Sequence, residues 1–158
     1  MAALSFKVVR VAMPLKKRGK YTYGETQADI QEALIAFSRK NGYMATCFAD
    51  AVCTCSGRIF KLQADDDAGV AVRHCIGCGN VHVMADGAEY LDEAELFDRL
   101  CICNADTFEI TVGLALYDDS EDVRWLYLGC RCPACGLTGC YAEWKNEYIG
   151  YKELLLLV

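Results

Sequence analysis

The chain has 158 residues, 54% of them hydrophobic and 24% charged, and a formal net charge of −6. That length suits one domain or two small ones and buries roughly 70% of the unfolded surface. Disordered and collagen-like compositions are excluded, and the longest apolar run, Leu154-Leu155-Leu156-Leu157-Val158, is too short to span a bilayer.

Charge is unevenly spread. Residues 1–42 hold eight Lys or Arg against three Asp or Glu, a net +5, while residues 43–158 carry a net −11. The N-terminus lacks the basic leader and unbroken apolar stretch of a signal peptide, which places the protein in the reducing cytosol. Eleven cysteines are an odd number, unsuited to a closed disulfide framework.

In chain order, residues 5–13 (SFKVVRVAM) are β-branched and mixed apolar, which predicts a first strand. Residues 14–24 form a basic loop, Lys16, Lys17, Arg18 and Lys20 preceding a short extended stretch at Tyr21–Tyr23. A helix is expected from a Thr26 cap to Lys40, with Asp29 favouring its N-terminus, Ile30, Ala33, Leu34 and Phe37 on one face, and Gly42 ending it.

The cysteines then form a repeat. Residues 53–79 and 101–136 both open with C-x-C, continue through a Phe (Phe60, Phe108) into an apolar-rich strand, and reach an acidic turn. The turns contain Asp65, Asp66 and Asp67 in the first unit, and Asp118 and Asp119 in the second. Both units return through a Val-Arg pair (Val72-Arg73, Val123-Arg124) and close on C-x-x-C-G. The two Cys pairs lie nineteen residues apart in the first unit and twenty-eight in the second. Between the units, residues 91–100 (LDEAELFDRL) predict a short linker helix with Asp92 as cap and Glu95 as partner; a short helix is also expected after Asn146.

Two Cys pairs at the ends of a β-hairpin bring four thiolates to one point, the closed tetrahedral set that structural Zn²⁺ takes. The arrangement resembles the zinc ribbon over about residues 53–84 and 101–144, with C-x-C replacing the commoner C-x-x-C at the first knuckle. Cys53, Cys55, Cys75 and Cys78 are assigned to one zinc, and Cys101, Cys103, Cys132 and Cys135 to a second. Cys47, Cys130 and Cys140 remain as packing residues, with Cys130 the alternative to Cys132 as a ligand. The expected architecture is α+β: an N-terminal strand–helix element (1–46), a first ribbon (47–90), a linker helix (91–100) and a second ribbon with a C-terminal segment (101–158).

Catalytic patterns are scarce. His74 and His82 adjoin the first knuckle and have no nucleophile in sequence reach. The pair Cys132-Pro133-Ala134-Cys135 is flanked by GLTG rather than the strand–helix context of a thioredoxin dithiol. Neither a deaminase H-x-E set nor a P-loop is present. Each four-thiolate zinc carries a net charge of about −2, taking the formal −6 to about −10, a field that repels nucleic acid. In size, acidity and lack of an active site the chain resembles bacterial immunity proteins. That resemblance implies a basic, toxin-like protein partner, contacted through the acidic turns and through anchors such as Trp125 and Trp144. The alternative is a nucleic-acid-binding ribbon protein using the basic, tyrosine-bearing loop 16–23.

Overall fold

The computed structural model describes residues 15–158; the strand expected over residues 5–13 lies outside them. Its elements are β1 (Lys16–Arg18), β2 (Tyr21–Tyr23), α1 (Ala28–Asn41), β3 (Cys47–Asp50), β4 (Phe60–Asp65), β5 (Val70–Cys75), β6 (Val81–Val83), β7 (Phe97–Asp98), β8 (Glu109–Leu116), β9 (Val123–Arg131), β10 (Thr138–Lys145) and α2 (Tyr151–Leu155). The class is α+β. The basic loop is itself a hairpin, β1 against β2, with left-handed Gly19 in its turn.

The two larger sheets have four strands each, in the orders β10-β9-β8-β3 and β6-β5-β4-β7. Their facing sides share one core, in which Phe60, Leu62 and Ala64 belong with Ile110, Val112 and Leu128. A second, smaller cluster sets Ile30 and Leu34 of α1 against Ala115 and Tyr127 on the outer face of the β8–β9 sheet. Close approach there depends on Gly129, where a Cβ would lie 2.4 Å from Ile30 Cγ2.

Every strand pairing of one sheet has its counterpart in the other. Cys53 and Cys101, Cys55 and Cys103, and Phe60 and Phe108 are each 48 residues apart, whereas Cys75 and Cys132 are 57 apart because the second hairpin is nine residues longer. With those offsets, Gln63↔Val72 answers to Thr111↔Gly129, Val72↔Val83 to Gly129↔Cys140, and Gln63↔Asp98 to Asp50↔Thr111. The equivalent phenylalanines meet each other: the Phe60 N–H donates to the Phe108 carbonyl at 2.9 Å and the Phe108 N–H to the Phe60 carbonyl at 2.8 Å. Reciprocal bonds between equivalent residues are the signature of a local two-fold axis.

The first strand of each unit is exchanged across that axis. β3 of the first unit pairs with β8 of the second, and β7 of the second pairs with β4 of the first. The side chains repeat the exchange: Thr111 Oγ1 donates to Asp50 Oδ1 at 2.7 Å, and Gln63 Nε2 donates to Asp98 Oδ1 at 2.9 Å.

Three local expectations change. The linker helix over 91–100 reduces to a 3-10 turn at Leu91–Glu93, after which Ala94 is extended and β7 begins. An isolated ten-residue helix is marginal, and strand pairing with β4 supplies partners that such a helix would lack. The α1 cap is not Thr26; Gln27 occupies the N-cap, and the buried Asp29 carboxylate accepts the Glu25 and Thr26 N–H groups at 2.7 and 2.9 Å. The Val-Arg pairs are not equivalent, because Val72-Arg73 corresponds to Gly129-Cys130; Val123-Arg124 lies in the extra length of the second hairpin.

Candidate metal centres

The structure gathers the eight cysteines singled out from the sequence into two groups. Sγ atoms of Cys53, Cys55, Cys75 and Cys78 lie within 4.8 Å of one another, as do those of Cys101, Cys103, Cys132 and Cys135. The short edges are 3.5 Å (Cys53–Cys78), 3.6 Å (Cys55–Cys75), 3.5 Å (Cys101–Cys135) and 3.7 Å (Cys103–Cys132). A tetrahedron with metal–sulfur bonds of ~2.3 Å has edges of ~3.8 Å. A disulfide would need ~2.05 Å, and all eleven thiols are free. In each group one cysteine of each pair is buried (Cys53, Cys75; Cys101, Cys132) and the other exposed. The donor set therefore fits a closed four-thiolate metal at each place, held half in the core.

The chain reaches this geometry by the same local device twice. In the C-x-C knuckles, the Cys53 N–H donates to the Gly57 carbonyl and the Ser56 N–H to the Cys53 carbonyl, each at 2.8 Å. Cys101, Ala105 and Asn104 repeat this at 2.8 and 2.9 Å. Ser56 and Asn104 take left-handed φ values of 71° and 70° to close the turn, a conformation that costs most side chains energy and asparagine least. In the C-x-x-C knuckles the Gly79 N–H donates to the Cys75 carbonyl and the Gly136 N–H to the Cys132 carbonyl, with φ of 76° and 82°. Those two positions need glycine.

Electrostatics favour a cation among the sulfurs of each cluster. The Cys55 N–H leads in lowering Cys53 to about 6, and the Ala105 N–H leads in lowering Cys103 to about 7. At Cys55 the Gly57 N–H pulls downward, yet the sulfurs of Cys75, Cys78 and Cys53 together push the thiol to about 12. Burial and its three sulfur neighbours likewise push Cys135 to about 12. Backbone dipoles favour the first thiolates and mutual repulsion blocks the last ones; a dication removes that block.

The three remaining cysteines differ. Cys130, with no exposed surface, is raised well above a free thiol by burial, and burial and Glu143 push Cys140 to about 12. Cys130 therefore packs in the core, and Cys132 is the one that joins the second cluster. Near them the Tyr141 hydroxyl is buried without a hydrogen-bond partner, and its ring meets Phe108 edge-on at 5.1 Å.

The residues expected to meet a partner fall in two places. On the β4–β5 turn, Asp65 accepts the N–H groups of Asp67, Ala68 and Glu95, and Asp66 pairs with Arg99 at 2.6 Å and accepts the Glu143 N–H at 3.2 Å. Both carboxylates are engaged inside the fold, and Asp67 is exposed. Trp144, beside that turn, is only 7% exposed. On the β8–β9 hairpin, Asp118 and Asp119 are exposed; on the β9 strand behind them Trp125 is half-buried, stacks on Tyr43 at 5.0 Å and donates Nε1–H to Glu143.

Fold and sites together define a duplicated α+β protein with two four-cysteine clusters able to hold two metal ions. Comparison with protein-family models, curated proteins and solved structures finds no match. No helix among the described residues is long and apolar enough to cross a membrane.

Proposed function

We propose that the protein is a non-catalytic, zinc-stapled binding module of the cytosol that masks a basic protein surface, in the manner of an immunity protein. The observation that carries this reading is the β8–β9 hairpin, which presents Asp118 and Asp119 to solvent beside Tyr43, Tyr117 and Trp125, on a fold with two four-cysteine clusters able to hold metal. Closed four-thiolate sites leave no coordination position for a substrate, and zinc suits them because it neither changes redox state nor demands another geometry. Both histidines serve the fold: His74 Nε2 meets Gln63 Oε1 at 3.2 Å and His82 Nε2 meets the Leu157 carbonyl at 2.7 Å.

Purification from native cells with zinc retained, read by native mass spectrometry, tests the reading. A stoichiometric basic protein is the expected companion, with Asp118→Lys/Asp119→Lys slowing its association about tenfold at low salt. A protein that emerges alone, or an unchanged on-rate, refutes it.

A second reading has one observation in its favour. The β1–β2 hairpin exposes Lys16, Lys17 and Arg18, with Arg18 over Tyr23 at 5.3 Å and Lys20 over Tyr21 at 5.2 Å, a platform suited to single-stranded nucleic acid. Micromolar affinity for oligothymidylate that vanishes in Lys17→Glu/Arg18→Glu is its signature.

A further inference from the structure

At the base of the β8–β9 hairpin the Arg124 guanidinium lies over two rings, its carbon 4.3 Å from the centroid of Tyr43 and 5.4 Å from that of Tyr117. Two adjoining cavities, of about 460 and 170 Å³, share Tyr43, Tyr117 and Arg124. The larger reaches Asp118 and Asp119, and the smaller Trp125 and Lys145. Neighbouring polar groups are already engaged: Lys145 with Glu147 at 3.2 Å, and Trp125 Nε1 with Glu143 at 3.2 Å. Among the described residues the Arg124 side chain enters none of the ion pairs.

A guanidinium held over two aromatic rings is already oriented, so less rotamer freedom is lost when it binds, and its planar fork matches a carboxylate. The rim beside it is negative. An oxyanion seated on Arg124 therefore needs cationic neighbours facing Asp118 and Asp119. Successive phosphates of a nucleic acid strand would face those carboxylates instead and be repelled.

We propose that Arg124, clamped by Tyr43 and Tyr117, is the docking point for a surface carboxylate of a partner protein, with the partner's flanking basic side chains on Asp118 and Asp119. This deepens the protein-binding reading and rests on it. Opposite charges placed side by side fix the register of a contact more strictly than a uniform acidic patch does.

The test follows the Arg124 Nε–Hε resonance of the zinc-loaded full chain during titration with the capped tripeptides Lys-Glu-Lys and Lys-Gln-Lys, and with a short oligothymidylate. The Glu peptide is expected to shift Arg124 saturably, about fivefold or more tighter than the Gln peptide. Arg124→Lys, checked for an unchanged metal count, is expected to bind the two peptides alike. Equal binding of both peptides by the parent chain overturns the proposal, as does oligothymidylate moving Arg124 at lower concentration than either. A native partner that binds Arg124→Lys as tightly as the parent sinks the clamp while leaving the protein-binding reading intact. A Glu-selective Arg124 in a protein that purifies alone supports the clamp and counts against that reading.

Discussion

At the scale of single residues, the eight clustered cysteines and the three spare ones separate by geometry and by chemistry. Cys132 sits 3.7 Å from Cys103 in a thiol cluster, whereas Cys140 lies apart and donates its S–H to the Ala142 carbonyl at 3.3 Å. Cys132→Ser is expected to lose one metal and a large part of the stability, because a structural zinc contributes on the order of 10 kcal/mol. Cys140→Ser should retain both metals with a change of about 1 kcal/mol or less; metal analysis with urea denaturation separates the two. The thiols also set a pH dependence. Cys53 and Cys103, lowered from 9.0 to about 6 and about 7, stabilise the metal-free fold fully above 9.0 and lose that contribution as pH falls through 7 and then 6. Cys55 and Cys135, raised to about 12, act in the opposite sense and lose theirs as pH climbs above 9.0. The melting temperature of metal-free protein should therefore peak near pH 9, while bound metal extends the plateau to more acidic pH. An identical profile with and without metal would contradict this.

At the scale of elements, the α1 helix and the hairpins were legible because local pattern and tertiary contacts agree. Ile30 and Leu34 point into the cluster that the helical period implies, and Gly42 closes the helix in a left-handed conformation. β7 was not legible, since its composition suits a helix and only pairing with a strand some thirty residues earlier decides otherwise. A signal was available in Asp50-x-x-Cys53 and Asp98-x-x-Cys101: the matching aspartates extend the repeat back past the cysteines, so that β7 answers to β3. Asp29 was legible as the carboxylate of the helix N-terminus, and it accepts the Thr26 N–H; what local pattern hid is that Gln27, not Thr26, occupies the N-cap. Packing of α1 can be tested directly. Gly129→Ala would place a Cβ 2.9 Å from Leu34 and closer still to Ile30, whereas Gly139 has nothing within 4 Å. Gly129→Ala should cost about 1–3 kcal/mol through overpacking, and Gly139→Ala should leave the denaturation midpoint nearly unchanged.

At the scale of the whole molecule, exchanging the first strands makes each C-x-C knuckle a connection between sheets. Cys53 follows a strand that belongs to the β8 sheet and precedes one in the other sheet; Cys101 does the reverse. Metal at either cluster would therefore hold both sheets, and the shared core ties them again. Cys78→Ser, at an exposed ligand, is expected to raise hydrogen exchange about tenfold in β3 and β8 as well as in β4–β6; faster exchange confined to β4–β6 would show that the units are independent. The most direct test of the central claim is native mass spectrometry of the protein purified without added metal. The account predicts a mass carrying two zinc ions with all eleven thiols reduced. A folded protein with no metal, or one whose cluster cysteines are joined as disulfides, would contradict it.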